Sequence, residues 1–250
     1  MKEALIIGGA NGIGLSIALE MACRSDVKTV HIVDKQQINN SYLHPKFKCY
    51  QCDLSNADFS FFDQFIGVVD TLFYTAGFGK LALFADLDED YIIDSFNVNT
   101  LAAIRVIKRF FPCLTSQEKQ FYCGVMVSIA GFMSSPFFSV YAATKAALKI
   151  FIESVNVELE KTGSKNRILN VSPGLLKGTS FYGEPTNLDL IKPMAQAIIT
   201  ELERGNDLFI PQYDAVFHDV LERYHTDFRA EGRQSYDYKI VVGRVAKKNK

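Results

Sequence analysis

Short runs rich in Val, Ile and Phe alternate with longer segments of helical period from one end of the chain to the other. This alternation is typical of parallel strands that are joined by crossover helices. The predicted strands are Ala4–Gly8, Thr29–Asp34, Phe47–Cys52, Val69–Thr75, Cys123–Ile129, Arg167–Ser172 and Asp207–Ile210. The pattern therefore predicts an α/β fold, with a single doubly wound parallel sheet of about seven strands and helices on both faces.

Helices are predicted between the strands and after the last one. The predicted segments are Gly12–Arg24, Asp88–Phe96, Val98–Phe111, Tyr141–Lys161 and Leu188–Glu203. The third is expected to end at Pro112, because proline has no backbone N–H with which to continue a helix. After Pro211 the apolar residues again have helical spacing, and the tail 244–250 is basic.

The charge balance limits the kinds of partner that this chain could bind. The 250 residues include 27 Lys and Arg against 28 Asp and Glu, a net charge of −1 at pH 7. This balance provides no field that would hold nucleic acid or an anionic membrane, so we expect a small-molecule partner.

The apolar stretches are too short to span a bilayer, and a core strand at the start leaves no room for a signal peptide. Five scattered cysteines are expected to be buried free thiols, which indicates a reducing, cytoplasmic location.

The first predicted strand runs directly into a glycine-rich segment that opens the first helix. Its candidate phosphate-binding residues are Gly8, Asn11, Gly12, Ile13 and Gly14. Glycine adopts dihedrals that other residues avoid and lets the backbone approach a pyrophosphate, while the helix N-terminus offers free N–H groups. The segment favours an anion site; a tight turn needed only for packing is the alternative.

Acidic and small residues follow the other strands at the edge where such sheets bind ligands. Asp34 ends the second strand, where a carboxylate can accept both hydroxyls of an adenosine ribose and repel a 2′-phosphate. NAD(H) is therefore favoured, and Lys35 beside it keeps NADP(H) possible; a solvated strand-end aspartate is the alternative. The remaining candidates for this cleft are Asp53, Leu54, Ala76 and Gly77.

Three polar residues near the fifth strand form a candidate catalytic group. Ser128 closes that strand, Tyr141 opens the long helix, and Lys145 lies one helical turn beyond Tyr141 on the same face. The Lys145 ammonium and the positive charge of an oxidised nicotinamide both favour the phenolate, so we expect them to lower the pKa of Tyr141 and let it exchange a proton near neutral pH. A tyrosine four positions before a lysine is common in surface helices, so only the combination with the serine and the glycines is informative.

Taken together, these motifs resemble a classical-type short-chain dehydrogenase/reductase over residues 3 to about 210. The matching motifs are GxxxGxG from Gly8 to Gly14, CDL from Cys52 to Leu54, AG at Ala76 and Gly77, VN at Val98 and Asn99, SIAG from Ser128, YAATK from Tyr141 to Lys145, and SPG from Ser172 to Gly174. The resemblance implies a Rossmann-type sheet. It also implies that residues 1–210 form the dinucleotide-binding and catalytic unit, with 211–250 a helical extension and basic tail of the same domain.

The resemblance further implies NAD(P)(H)-dependent interconversion of a secondary alcohol and a ketone. Tyr141 would be the general acid or base, Ser128 would hold the substrate oxygen, and Lys145 would bind the nicotinamide ribose. Asn99, in a bend of its helix, would position a water that relays protons; an interior hydrogen bond or a helix cap is the alternative. Pro173 and Gly174 would complete the cofactor site, no metal is implied, and a homodimer or homotetramer through the two long helices is expected.

Three departures from the family pattern are visible. The usual NNAG reads Tyr74, Thr75, Ala76, Gly77, which removes two amide side chains that brace the loop and the sheet. The threonine expected shortly after the PG is shifted, with Thr179 nearby, and the family's closing strand is replaced by the C-terminal extension. These departures keep a second class open, a non-catalytic dinucleotide-binding sensor on the same fold.

The expected substrate pocket is aromatic. Its candidate lining residues are Phe132, Met133, Phe137, Phe138, Phe181 and Tyr182. Such a lining favours an apolar alcohol or ketone, and the alternative is that most of these side chains are core.

Overall fold

The computed structural model describes residues 1–179, 181 and 183–245, and within them seven strands form one parallel sheet. The strands are β1 (Glu3–Ile7), β2 (Thr29–Asp34), β3 (Phe47–Gln51), β4 (Thr71–Tyr74), β5 (Tyr122–Met126), β6 (Ile168–Val171) and β7 (Leu208–Phe209). Their order is β3-β2-β1-β4-β5-β6-β7, and every neighbouring pair is parallel. The predicted doubly wound, Rossmann-type sheet is therefore confirmed.

Helices cover both faces of the sheet. They are α1 (Gly12–Cys23), α2 (Glu89–Phe96), α3 (Ala103–Leu114), α4 (Ser139–Lys161), α5 (Leu188–Glu203), α6 (His218–Thr226) and α7 (Phe228–Val241). One apolar cluster lies on the face of α1 and α5, and another on the face of α3 and α4. Within the described part of the chain, none of the helices combines the length and hydrophobicity needed to cross a membrane.

The position of β1 determines where a ligand can bind. Its residues Ala4 to Ile7 are fully buried, because both edges of the strand are paired and both faces are covered. Ile7 at its carboxyl end is opposite Val33 of β2 on one side and Tyr74 of β4 on the other. The strands β2 and β3, which follow β1, lie on one side of it, and β5 to β7, which follow β4, lie on the other side. The connections after β1 and β4 therefore run in opposite directions, and a crevice opens between the carboxyl ends of these two strands.

The helix expected to end at Pro112 continues to Leu114, so that prediction was wrong. A proline in the last turn removes a single intrahelical hydrogen bond, and Leu114 is fully buried against the core. The terminal carbonyl of Leu114 accepts hydrogen bonds from Ser164 Oγ at 2.6 Å and Asn166 Nδ2 at 3.3 Å. Capping by these distant side chains compensates for the proline.

Within the described residues, the C-terminal extension contains two α-helices, α6 and α7, in the region that the sequence predicts to be helical. A short π-helical segment, Tyr213–Phe217, leads into α6, and Asp227 caps the start of α7, because its carboxylate accepts from the backbone N–H of Arg229 and Ala230. The part of the basic tail at 246–250 lies outside the described residues. A second correction concerns the cysteines: all five are free, but only Cys123 is buried.

Candidate active site

A cavity of about 500 Å³ opens at the carboxyl ends of β1, β4 and β5. Its walls contain every predicted cofactor and catalytic residue except Asn99. These residues are Gly8, Asn11, Gly12, Ile13, Gly14, Asp34, Asp53, Leu54, Ala76, Gly77, Ser128, Tyr141, Lys145, Pro173 and Gly174. The sequence motifs thus converge on one cleft, as parallel strands with a common carboxyl edge require.

The glycine turn forms a cradle at one end of this cavity. Gly12 has a φ of +54°, and a Cβ there would face open space, with Thr179 Cγ2 nearest at 4.0 Å. A Cβ at Gly14 would overlap the carbonyl oxygen of Gly8. The Asn11 side chain makes no hydrogen bond to the first turn of α1 and donates instead to Gln36 Oε1 at 2.6 Å. The first N–H of α1, that of Gly12, donates to Thr186 Oγ1 at 3.2 Å, and the positive end of the α1 dipole faces the cavity.

Hydroxyl groups brace this cradle in place of the two amides that the sequence lacks. Thr75 Oγ1 lies 2.9 Å from the carbonyl oxygen of Ile7 and 3.0 Å from that of Gly8, to which it donates. Tyr74 OH donates to the Val98 carbonyl at 2.6 Å. The ends of β1 and β4 are thus tied together, so the expected loss of bracing is not what the structure shows.

The acidic side of the cavity is built by Asp34 and Asp53. Asp34 Oδ2 accepts from the Ala10 N–H at 3.0 Å and its Oδ1 from the Gln36 N–H at 2.9 Å. Hydrogen bonds from Ser55, together with the charge of Lys35, lower the pKa of Asp53. Both carboxylates are therefore held in fixed orientations, and a carboxylate oxygen retains acceptor capacity beyond one such bond.

Ser128, Tyr141 and Lys145 lie together on the opposite wall. Ser128 precedes a short 3₁₀ turn, Ile129–Gly131, and its Oγ accepts from the Ala130 N–H at 3.1 Å. Tyr141, in the first turn of α4, is 8% exposed and hydrogen-bonded to Ser128. Lys145 is 3% exposed, and its Nζ donates to the Met126 carbonyl at 2.8 Å.

Burial sets the protonation of this group. It raises the pKa of Tyr141 to about 12, although the hydrogen bond with Ser128 acts in the opposite direction. Desolvation also lowers the pKa of Lys145 to about 7. Burial therefore raises the pKa of Tyr141 in this structure, and the lowering expected from Lys145 together with an oxidised nicotinamide stays a prediction.

Asn99 lies in a π-helical segment, Asn97–Ala102, that joins α2 to α3. Its side chain is fully buried and does not line the cavity. The amide accepts from the Phe78 N–H and donates to the Phe78 carbonyl, both at 2.9 Å, and contacts Thr144 Oγ1 at 3.2 Å. These contacts are the interior hydrogen bonds that were the alternative, for Asn99, to positioning a relay water.

Only part of the predicted aromatic pocket lines the cavity. Phe138 and Phe181 do so, and with Tyr141 they form a cluster with ring centroids 4.9 to 5.6 Å apart. Phe132 and Met133 pack in a separate apolar cluster instead. Phe137 stacks on Tyr236 at 4.4 Å, and Tyr182 lies outside the described residues. The core alternative is thus correct for these three described side chains.

Sequence reasoning missed two basic residues of the C-terminal extension. Lys239 and Arg244 both line the cavity. A lysine near the end of a polar helix carries no signal that distinguishes it from a solvated one, and the segment from Arg244 was interpreted only as a basic tail. Thr179, noted only as a displaced threonine, also lines the cavity, where its hydroxyl donates to the Leu176 carbonyl at 2.7 Å.

A cluster of His218, Asp219 and Glu222 on α6 has ligand atoms within 4.8 Å of one another. Its members are partly or fully exposed, and His218 pairs with Asp219 at 3.2 Å and with Glu222 at 3.7 Å. These contacts raise the pKa of His218. Ion pairing of His218 with the two carboxylates explains why these three side chains lie together.

Comparison with known proteins gives consistent results for sequence and fold. The family model described as short chain dehydrogenase matches residues 2–187. An uncharacterized oxidoreductase of Saccharomyces cerevisiae is 24% identical over 227 residues, which cover 81% of this chain and 71% of the relative.

Solved structures share the fold. A short-chain dehydrogenase from Streptomyces avermitilis has a TM-score of 0.73 and 21% identity, covering 96% of this chain and 98% of that chain. An alcohol dehydrogenase from the archaeon Thermococcus sibiricus, complexed with 5-hydroxy-NADP, has a TM-score of 0.70 and 19% identity, covering 84% of this chain and 95% of that chain. With the family model matching most of its length, the chain belongs to the short-chain dehydrogenase family of oxidoreductases.

Proposed function

We propose that this protein is a NAD(P)(H)-dependent oxidoreductase that interconverts a secondary alcohol and a ketone. One observation carries the proposal: Ser128, Tyr141 and Lys145 line the same cavity as the glycine cradle of Gly8 to Gly14. A dinucleotide held in the cradle would extend towards the phenol, and a carbonyl group beside it would meet a proton donor.

The residues present fit a nicotinamide dinucleotide. The open side of Gly12 and the positive dipole end of α1 suit a pyrophosphate, and Asp34 suits the adenosine ribose. A Cβ added to Gly77 would lie 3.3 Å from Lys145 Nζ, so these two residues are neighbours. We place the nicotinamide ribose beside them. When bound, the cofactor supplies or accepts the hydride.

We propose NAD(H) rather than NADP(H) as the preferred form. Asp34 directs a carboxylate with two backbone-anchored oxygens into the cavity. The positive charge of Lys35 acts on Asp53, whose pKa it helps to lower, so a 2′-phosphate would meet two carboxylates near that one lysine. Repulsion of the phosphate is the expected result.

The proton step is assigned to Tyr141. Because its pKa is raised, its phenol is protonated at neutral pH and can donate to the oxygen of a ketone as hydride arrives at carbon. Ser128 orients the same oxygen through its hydroxyl. In the reverse direction the phenolate is needed, and the positive charge of an oxidised nicotinamide and of Lys145 would favour it. Asn99 is a positioning residue that holds the segment after β4 against α4.

The test is a titration with NADH and NADPH followed by a turnover screen over apolar ketones and alcohols. Tyr141→Phe is expected to lower kcat by about a hundredfold or more, because it removes the proton donor. Tyr213→Phe, the same change at an exposed tyrosine, is the matched control. Binding of NADH with no turnover on any compound would contradict the proposal and favour the sensor.

Two further parts of the proposal concern assembly and location. Exposed apolar side chains, Ile150 and Val157 on α4 and Leu101 just before α3, support association of copies through these helices as a dimer or tetramer. The five free cysteines support a reducing compartment, the cytoplasm.

A further inference from the structure

Phe137 has a backbone conformation that bulky side chains rarely adopt. Its φ is +68°, in the left-handed region, although the residue is not a glycine. Its side chain is 5% exposed, so the surrounding protein encloses the ring. For a bulky residue this conformation costs free energy, and it persists only where other contacts hold it. The contacts around Phe137 must therefore compensate for that cost.

This conformation lies at the start of the helix that carries Tyr141. Phe137 is two positions before the first residue of α4 and four positions before Tyr141. Phe138, the N-cap residue, makes no side-chain hydrogen bond to the first turn, so no local cap fixes how the chain enters the helix. The Ala142 N–H donates to the Phe138 carbonyl at 2.7 Å, directly after Phe137. The backbone angles of Phe137 therefore set the position of Tyr141 relative to Ser128.

The contacts that hold this segment come from α7. The Tyr236 ring stacks on that of Phe137, with centroids 4.4 Å apart and planes 28° apart. Directly before Phe137, the Pro136 carbonyl accepts from Lys239 Nζ at 2.7 Å. The same ammonium donates to Ser135 Oγ at 3.0 Å. One aromatic stack and two hydrogen bonds thus fasten the segment before α4 to the last helix.

A contact with the segment after β4 opposes relaxation of the backbone. The Phe137 carbonyl accepts from the Ala82 N–H at 3.0 Å. A change of φ at Phe137 to a negative value would rotate this carbonyl away from its donor. The family model matches residues 2–187, so the family pattern does not account for a contact made by α7.

We infer that Tyr236 is a positioning residue, which holds Phe137 in its left-handed conformation and thereby keeps Tyr141 in place. The effect on proton transfer rests on the proposed function, whereas the effect on the start of α4 rests on the contacts of α7 alone. A general acid must lie within hydrogen-bond reach of the substrate oxygen, and a misplacement of about 1 Å can lower the rate by about a hundredfold.

The first test is Tyr236→Ala, which removes the stack. Because Tyr236 is itself 36% exposed, the variant encloses no cavity and is expected to fold. For the apolar ketone that the wild type reduces fastest in the turnover screen, we expect kcat to fall about tenfold. The Kd for NADH should stay within about twofold, because the change moves Tyr141 and not the glycine cradle. Tyr236→Phe keeps the stack and should restore kcat, and Tyr238→Ala, at a 61% exposed tyrosine of the same helix, is the matched control.

Two substitutions at Phe137 separate the backbone conformation from the lost ring. Phe137→Ala and Phe137→Gly both remove the stack, but only glycine adopts a positive φ without cost. We expect kcat to be about fivefold or more higher in Phe137→Gly than in Phe137→Ala, and Tyr236→Ala to cause no further loss when combined with Phe137→Gly. Equal kcat values in the two variants would overturn the inference. A Tyr236→Ala variant that binds NADH as poorly as it turns over would show a general structural role and overturn it as well.

Hydrogen exchange in the cofactor-free protein separates this inference from the proposed function. The amide of Ala142 should exchange about tenfold faster in Tyr236→Ala than in the wild type, while that of Ile152, farther along α4, should not change. If no compound is turned over but exchange changes in this way, the oxidoreductase proposal fails and the positioning role of Tyr236 stands. If ketones are turned over while Tyr236→Ala alters neither kcat nor the exchange of Ala142, the oxidoreductase stands and the positioning role fails.

Discussion

The Lys145 ammonium lies 5.7 Å from the centre of the Tyr141 ring and is hydrogen-bonded to a backbone carbonyl rather than to the phenol. Both groups are buried, and burial favours the neutral form of each. The site therefore contains a lysine that titrates near neutral pH beside a phenol that stays protonated.

The buried lysine makes stability depend on pH. The pKa of Lys145 is about 7 in the folded protein, against about 10.4 in an unfolded chain. Between these values the unfolded chain binds a proton that the folded protein does not, so the lysine's contribution to the free energy of unfolding rises with pH. Lys145→Met removes this contribution. The stability of the variant relative to wild type is expected to fall from pH 7 to pH 10 in urea unfolding of the cofactor-free proteins, and parallel curves would contradict the assignment.

Asp34 is predicted to decide the cofactor. Asp34→Ser removes the negative charge that we propose lies beside the adenosine ribose, so the affinity for NADPH should rise and that for NADH should fall. The ratio of the two dissociation constants is expected to shift by about tenfold or more in fluorescence titrations. A wild-type protein that prefers NADPH, with a ratio unaffected by the substitution, would show that Lys35 determines the choice.

The Thr75 hydroxyl is predicted to stabilise both the sheet and the cradle. Thr75→Val is nearly isosteric but leaves the carbonyls of Ile7 and Gly8 without this donor. We expect the free energy of unfolding to fall by about 1 kcal/mol and the affinity for NADH to fall with it. Thr75→Ser retains the hydroxyl and serves as the control. Equal behaviour of the two variants would mean that the methyl group, not the hydrogen bond, matters.

The exposed face of α4 is predicted to hold a second copy of the chain. Ile150 and Val157, each 57% exposed, are seven positions apart and so lie on one side of the helix. Val157→Glu is expected to shift the protein towards monomer in sedimentation experiments, because a charge would be buried in the interface. Leu43→Glu, at an exposed apolar residue elsewhere, should leave the assembly intact. A wild-type monomer would refute this prediction.

The sheet and the cradle could be predicted from sequence because their signals are local. The glycines at Gly8 to Gly14 and the buried run Ala4 to Ile7 report backbone conformation and burial within a few residues. Helix α5 was predicted with the bounds Leu188–Glu203 that the structure shows.

The remaining features depend on contacts between distant segments. No local pattern indicates that Thr75 would bond to β1, or that Ser164 and Asn166 would cap a helix past Pro112. The effect of burial on the pKa of Tyr141 was not foreseen, because spacing reports the neighbouring charge but not the depth of burial. Lys239 was missed because its burial comes from packing against residues a hundred positions earlier in the chain.

The contribution of α7 to the cavity also orders events during synthesis. β1, α1 and β4 are synthesised early, so the glycine turn can pack against these neighbouring elements while the rest of the sheet is still being made. The wall that contains Lys239 forms only when the end of the chain has emerged. A nascent chain therefore completes the strands around its glycine turn well before the α7 side of the cavity exists.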